Sequence, residues 1–445
     1  MRLATGPNFN WTELIDDICA GTWISPLTGK RFPPAPNDRI VFSESLAGQE
    51  VELIESLGFV APFALICDPN THQALGERIA KALSAKGEVE EIILEKPSAN
   101  MSTVRDLAKK LEPYPSAIAV GSGTINDLTK LATKMNKRPY CVFATAGSMN
   151  GYTSSTASIS LDTGLKVSLP GQTPLGFFVD LEVCANAPAW LNAAGFGDCL
   201  CRSVAQIDWW MSHRLIGTMY KHEPYVIEIP DEIHLMQQAR GIAQGEIEAI
   251  GFLFRVLTLC GLGIGFTGVS NHGSMGEHQI SHYIDCFSGR RHPGSIHGQQ
   301  VGIATLTMSR IQQHFLNSKS PPEVHETQID TEDMVRRMGP EIAAQCEPNF
   351  RKKAFDSKKA DLFNENLHRL WPELRNECLE IAVPTEKLTD YLNAAGGLTT
   401  AQGLNIPIEF YREAVFHAHE MRDRFSFADI ARDSGALAEL ATAEV

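Results

Sequence analysis

A chain of 445 residues, 43% hydrophobic and 21% charged, has the composition of a folded globular protein and exceeds what one ordinary core accommodates, so two domains are expected. Its formal charge of −14 argues against general nucleic-acid binding, which relies on clustered lysine and arginine to displace counterions. Ten cysteines without a CxxC pair read as reduced, mostly buried thiols of a cytoplasmic protein. No stretch reaches the roughly 18 uninterrupted apolar residues of a membrane span, and the leading MRLATGPNFNWTELIDD carries no apolar core of the export type.

Residues 1–37 form a lead that includes the proline-rich RFPPAPND (31–38). Short apolar runs then alternate with helical patterns. APFALICD (61–68) reads as a buried strand, and Thr71 is placed to cap a helix whose Leu75, Ile79 and Leu83 recur at the spacing of one buried face. EEIIL (90–94) is a second strand, followed by a helix opening at Ser102 with Val104, Leu107 and Leu111 on its inner side. SAIAV (116–120) and YCVFA (140–144) are further strands. This alternation predicts a doubly wound α/β domain over residues 38–185, its parallel sheet covered on both faces. ASISLDTGLKVSL (157–169) interrupts the rhythm as a hairpin closed at Gly164. From 186 to 445 the strand signals fade and 3.6-residue periodicity takes over, predicting an all-helical domain.

AIAVGSGTIND places Gly121, Ser122 and Gly123 between a buried strand and a helix beginning near Thr124. Glycines there let a ligand approach the backbone, and the free N–H groups of a helix start favour a phosphate. The same residues also serve a plain tight turn, because Asn126 stands where the full GxGxxG pattern has its third glycine. Asp68, ending an earlier strand, can accept hydrogen bonds from a ribose, where it would repel a 2′-phosphate, or simply open the DPNT turn. Thr145 and Ser148 of FATAGSMNGYTS follow the fourth strand with hydroxyls that suit the same crevice or an ordinary loop.

His278 and His282, four apart in MGEHQISHYID, share one helix face. The zinc-peptidase pattern HExxH is absent, because Gln279 follows His278. His297 in GSIHGQQVG and Asp198 in NAAGFGDCL have small neighbours that permit close approach, and one Asp with two His is a workable set for a catalytic divalent ion. Surface placement of both helical histidines is the alternative.

Taken in order, AVGSGTIND, TAGSMNGYTS, NAAGFGD, GEHQISHYID, SIHGQQVG and HEMRDRFSF resemble bacterial and archaeal sn-glycerol-1-phosphate dehydrogenases. Those enzymes belong to the superfamily of iron-type alcohol dehydrogenases, glycerol dehydrogenases and dehydroquinate synthases. The resemblance runs from about residue 40 to about 430 and is thin over 310–375. It implies that Gly121, Ser122, Gly123, Thr124 and Ile125 wrap the phosphates of NAD or NADP, and that Thr145, Ala146, Gly147, Ser148 and Ser154 continue that contact. It also implies that Asp198, His278 and His297 hold one divalent metal, with Asp198 and His282 at the substrate. Zinc, nickel and iron(II) all suit such ligands, zinc foremost. The implied reaction interconverts dihydroxyacetone phosphate and sn-glycerol 1-phosphate in a homo-oligomer. Dehydrogenation of another polyol or polyol phosphate, or a lyase of the dehydroquinate-synthase type, are the alternatives.

Two positions depart from the family pattern. Asn150 replaces the aspartate of SMDGYTS, losing a charge and gaining two donors beside a substrate hydroxyl. Arg202 stands where a lysine is expected, and its planar fork is not equivalent to an ammonium. Lys166 and Arg202 are the candidate cations for a substrate phosphate.

Overall fold

The computed structural model describes residues 9–289 and 294–443. The first eight residues of the N-terminal lead therefore lie outside the described part. The chain divides into two compact units: Met1–Asp162 with Lys166–Phe196 and Glu223–Gly268, and Thr163–Leu165 with Gly197–His222 and Val269–Val445.

The first unit is built on a six-stranded parallel sheet: β1 (Arg39–Ser43), β2 (Phe63–Cys67), β3 (Val89–Ile93), β4 (Ala117–Gly121), β5 (Tyr140–Ala144) and β8 (Gly176–Asp180). Between β5 and β8 lies an antiparallel hairpin, β6 (Thr156–Ser160) and β7 (Lys166–Pro170), whose connection uses Gly164 at φ +89°. The spatial order β1-β8-β5-β4-β2-β3 means that the chain runs outward from β2 to β3, then crosses back to β4 and proceeds the other way. Strands β2, β4, β5 and β8 are buried at every residue, which is why they read as continuous apolar runs rather than alternating ones.

Two helix starts differ from the sequence expectation. Asp68, not Thr71, is the cap after β2: its Oδ1 accepts from Asn70 N and Thr71 N, both at 2.9 Å, while Thr71 Oγ1 accepts from Asp68 N at 2.9 Å. A carboxylate satisfies two orphan amides where a hydroxyl satisfies one, so aspartate wins. Likewise Asn100, not Ser102, caps the Met101–Leu111 helix by accepting from Thr103 N at 2.9 Å. Leu75, Ile79, Leu83, Val104, Leu107 and Leu111 are all buried, as their spacing requires.

The helix Ile247–Thr267 is long and apolar enough to cross a membrane by composition, with mean hydropathy 1.9. Its apolarity has another cause, because 89% of that stretch is buried within the protein. Phe254 packs on Phe42 of β1 and Phe177 of β8 at ring separations of 6.1 and 6.3 Å, and the interior Arg255 is paired with Asp231 at 2.9 Å. All ten cysteines are thiols, eight of them buried.

The second unit is helical. The helix Ala189–Leu200 delivers Gly197 against the start of the helix His297–Leu316, where a Cβ on Gly197 would stand 2.6 Å from Gly298 O and 3.3 Å from Gly302 Cα. In the first unit, a Cβ on Gly195 would stand 1.7 Å from Gly147 O. Gly195→Ala is therefore expected to destabilise the protein by at least about 2 kcal/mol. Gly265→Ala, in the Ile247–Thr267 helix with nothing within 4 Å of the new methyl, is expected to be neutral or to stabilise by up to about 1 kcal/mol. Denaturant unfolding midpoints of the two variants measure the contrast.

Candidate functional site

In the α/β unit the strand order reverses between β2 and β4, and in open parallel sheets ligands bind outside the carboxyl ends of strands at such a point. Asp68 follows β2, and Gly121-Ser122-Gly123 leads from β4 into the helix Gly123–Asn136. Ser122 makes no side-chain cap bond, so the first-turn amides of that 14-residue helix stay available to an anion. A Cβ on Gly121 would meet Ile125 at 2.7 Å, and one on Gly123 would meet Met149 at 2.8 Å. Both glycines are thus required by close packing beneath the turn. Asp68 commits Oδ1 to its helix cap, the bland alternative of the sequence, and only its second oxygen is left to a ribose.

The loop after β5 is pinned from several sides. Gly147 N donates to Asn192 Oδ1 at 2.9 Å, and Tyr152 Oη donates to Ala146 O at 2.7 Å. Lys130, fully buried, donates to Gly151 O, Ser154 O and Thr156 O at 2.7, 2.9 and 3.0 Å. Burial pushes its ammonium down to about 8, with Asp127 partly opposing the shift. Ser154 turns its hydroxyl inward to Gly151 O and Thr156 O at 3.1 and 2.8 Å, so it shapes the loop. Thr145 and Ser148 are buried in this loop, and Asn150 is half-buried farther along it. Asn192 and Lys130 escaped the sequence reading because a buried Asn or Lys inside a helix has no local signature.

In the helical unit, Asp198, His278 and His297 offer donor atoms that all lie within 4.8 Å of one another. His278 Nε2 is 3.4 Å and His297 Nε2 3.9 Å from Asp198 Oδ1, and the two rings are 4.9 Å apart between centroids. Ligands at about 2.0–2.1 Å from a tetrahedral ion stand roughly 3.3 Å apart, so the set fits a metal with slight contraction. The neighbours fix the tautomers. His278 Nδ1 is 2.9 Å from Glu277 Oε1, which also accepts from Met275 N at 2.7 Å, so the ring donates from Nδ1 and presents the Nε2 lone pair. Ser281 Oγ donates to Gln300 Oε1 at 2.8 Å and lies 3.0 Å from His297 Nδ1. With its proton so used, Ser281 accepts from His297 Nδ1–H, again freeing Nε2 as a ligand. Gln300 is oriented in turn by donating to Asp285 Oδ1 at 3.0 Å.

The electrostatics favour a cation. Glu277 is fully buried, and its Oε2 has no hydrogen-bond partner among the described residues. Burial lowers the His278 pKa, but the Asp198 and Glu277 carboxylates outweigh it and hold the imidazole above its ordinary value. Two buried carboxylates around one imidazole want positive charge there, which a divalent ion supplies. A second grouping, Cys201, Glu277 and His278, shares the same imidazole. Its Cys201 thiol donates to Asp198 O at 3.1 Å and Glu277 Oε1 is already doubly engaged, so it ranks behind the first.

His282 is buried beside this set, with ring centroids 5.8 Å from His297 and 6.3 Å from His278. Arg422 Nη2 donates to its Nδ1 at 2.6 Å, so His282 is neutral and carries its proton on Nε2. The two helical histidines thus have opposite tautomers: one presents a lone pair, the other a proton. Arg422 and Ser281 were both within the quoted motifs, and Ser281 sits three residues after His278 on the same face, a signal that could have found it. Arg202 donates to Gln206 Oε1 at 2.8 Å.

Asp208 braces the start of this helix from below. Its Oδ2 accepts from Gly276 N at 3.4 Å, and its Oδ1 accepts from Phe427 N and Gln312 Nε2, both at 3.0 Å.

The family profile described as iron-containing alcohol dehydrogenase matches residues 41–188. A solved glycerol dehydrogenase from Schizosaccharomyces pombe shares the fold at TM-score 0.59 and 18% identity, covering 92% of this chain and 90% of its own. Over residues 41–188 the chain is similar to iron-containing alcohol dehydrogenases, and its fold is that of the solved glycerol dehydrogenase. Curated relatives narrow this further. A Bacillus velezensis protein named glycerol-1-phosphate dehydrogenase [NAD(P)+] is 27% identical over 385 residues, 84% of this chain and 86% of the relative. One of the same name from Bacillus subtilis is 27% identical over 408 residues, 89% and 91%. The chain is thus similar over most of its length to proteins named glycerol-1-phosphate dehydrogenase.

Burial pushes the Asp208 carboxyl up to about 8, Glu277 adding to the shift against the opposing hydrogen bonds. Because its ordinary value is 3.8, the folded protein holds this proton more tightly than the unfolded chain. The resulting stability is fully present below pH ~4 and is lost as pH rises towards 8. Asp208→Asn, which cannot ionise, is expected to flatten that part of the stability profile, read as unfolding midpoints from pH 4 to 8.5; an unchanged slope would assign the titration elsewhere.

Proposed function

We propose that the protein interconverts dihydroxyacetone phosphate and sn-glycerol 1-phosphate with NAD or NADP, using one divalent metal held by Asp198, His278 and His297. The observation that carries this reading is the donor set itself: one carboxylate and two imidazoles, each imidazole fixed from behind so that Nε2 faces the others. The names and wide coverage of the two Bacillus relatives support glycerol 1-phosphate as the alcohol, and its oxidation at C2 gives dihydroxyacetone phosphate.

The nicotinamide dinucleotide, held through its phosphates at Gly121 to Ile125, would supply the hydride chemistry. A divalent ion held by Asp198, His278 and His297 would supply Lewis acidity. The rest falls to the chain's own residues. Gly121 to Ile125 cradle the dinucleotide phosphates at the amides of the Gly123–Asn136 helix, and Thr145 to Ser148 continue the contact, with Ser154 and Lys130 setting the loop's shape. The second oxygen of Asp68 accepts from the adenosine ribose. His282 donates from Nε2 to a substrate oxygen; with Nδ1 occupied by Arg422 it orients that oxygen rather than removing its proton. Asp198 combines ligation with a carboxylate edge for the substrate. Three protein ligands with room for a fourth match a catalytic zinc site, so zinc is the first candidate, ahead of nickel and iron(II).

Asn150 supports a second reading, a different polyol or polyol phosphate on the same machinery, since its amide donates where the family's aspartate only accepts. A panel of ketoses and their phosphates, assayed by NADH and NADPH oxidation with metal analysis, separates the two. Dihydroxyacetone phosphate is expected to be reduced with the highest kcat/KM. Activity should disappear on chelation and return with a divalent ion. Steady NADH consumption also distinguishes a dehydrogenase from a lyase that uses NAD only transiently. His282→Ala is expected to lower kcat on the order of 10²-fold or more. Ser281→Ala, which removes the support of the His297 tautomer, should weaken metal affinity by about 10–100-fold, measured by competition with a chromogenic chelator.

A further inference from the structure

The segment 422–426, between the turn at Ala418–Met421 and the helix Phe427–Asp433, is irregular but firmly anchored. Lys353 Nζ donates to Arg424 O at 2.9 Å, and Gln279 Nε2 donates to the same carbonyl at 3.2 Å. Asp429 Oδ2 accepts from Ser426 N at 2.8 Å, while its Oδ1 lies 2.6 Å from Lys353 Nζ in a buried ion pair. Asp208 Oδ1 holds Phe427 N. The Arg424 guanidinium donates to Ser274 O, to Ser274 Oγ at 2.8 Å and to Ser270 Oγ at 2.7 Å, tying the segment to the turn before the His278 helix. Arg422 is thereby placed against His282 on a rigid support.

The charge balance of this segment is unusual. The hydrogen-bond partner of Arg422 among the described residues is an imidazole nitrogen, and those of the Arg424 guanidinium are hydroxyl and carbonyl oxygens. Among the described residues neither arginine forms an ion pair; Asp423, the carboxylate between them, lies 3.6 Å from Lys352 and is exposed. Burial pulls the pKa of both guanidinium groups below the ordinary arginine value, and for Arg424 the neighbouring Arg422 charge adds to it, with Glu277 and Asp423 opposing. Two adjacent cations held by neutral acceptors form a positive site that an anion would stabilise. The Arg422 fork, with one nitrogen engaged among the described residues, suits the paired oxygens of a phosphate. The cations singled out from sequence are differently employed: Arg202 donates to Gln206, and the Lys166 charge acts on Asp127.

We propose that Arg422 binds the phosphate of the substrate, using its remaining guanidinium N–H groups while Nη2 keeps His282 in its donating tautomer. One side chain then reads the phosphate end and orients the group that holds the hydroxyl end. This rests on the polyol phosphate reading above.

The test compares dihydroxyacetone phosphate with dihydroxyacetone in the full-length enzyme, Arg422→Met and Arg422→Lys, with NADH binding by fluorescence as the check on folding. Arg422→Met should lower kcat/KM for the phosphorylated ketose by roughly 10²-fold or more relative to its effect on the unphosphorylated one. Arg422→Lys should recover part of that ratio. Loss through His282 alone would reduce both substrates by the same factor, and that result overturns the proposal. Inorganic phosphate, titrated calorimetrically into the wild-type protein and Arg422→Met, judges the site without turnover. Binding that vanishes in the variant supports Arg422 even if a different polyol phosphate proves to be the substrate; equal binding to both proteins counts against it. If the wild type reduces neither ketose, the functional reading fails, and the phosphate titration still decides on Arg422.

Discussion

A buried carboxylate with two imidazoles around it is unstable as a bare arrangement: desolvation penalises the charge, and each ring must find a partner for its own N–H. Asp198, His278 and His297 meet these demands through a surrounding set of bonds that leaves each Nε2 aimed at the carboxylate. Glu277 takes one Nδ1 proton and Ser281 the other, and Gln300 and Asp285 fix Ser281. Buried Asp208 and the segment 422–426 support the helix from which two of these side chains project. The centre therefore depends on a second layer with as much polar chemistry as the first.

The tautomers decide what each histidine can do. His278 and His282 lie four apart on one helix, yet a carboxylate beside one and a guanidinium beside the other make the first an acceptor at Nε2 and the second a donor. The proposed division of labour between a metal ligand and a substrate-orienting group rests on those neighbours, because the imidazoles themselves are chemically identical.

In the α/β unit the same economy appears in backbone form. Strand order reverses between β2 and β4, and glycines follow β4 where any side chain would meet Ile125 or Met149. A buried lysine bonded to three carbonyls and a buried asparagine bonded to Gly147 N give the neighbouring loop a fixed shape. The proposed phosphate cradle of backbone amides would need such rigidity, since its donors cannot be repositioned by rotating side chains.

Periodicity and residue type determined much of this in advance. Unbroken apolar runs marked three of the sheet's strands, β2, β4 and β5, because a parallel strand buried on both faces has no polar side to show, and the helical stretches followed from their 3.6-residue spacing. Asp198, His278 and His297 were legible through motif order, and the hairpin through Gly164. Only the tertiary structure decided that Glu223–Gly268, helical by its pattern, groups with the α/β unit, that Asp68 spends one oxygen on a cap, and that Arg422 donates to His282. Short-range signals fix local geometry, whereas partners 140 residues apart are chosen by packing, which no local pattern encodes.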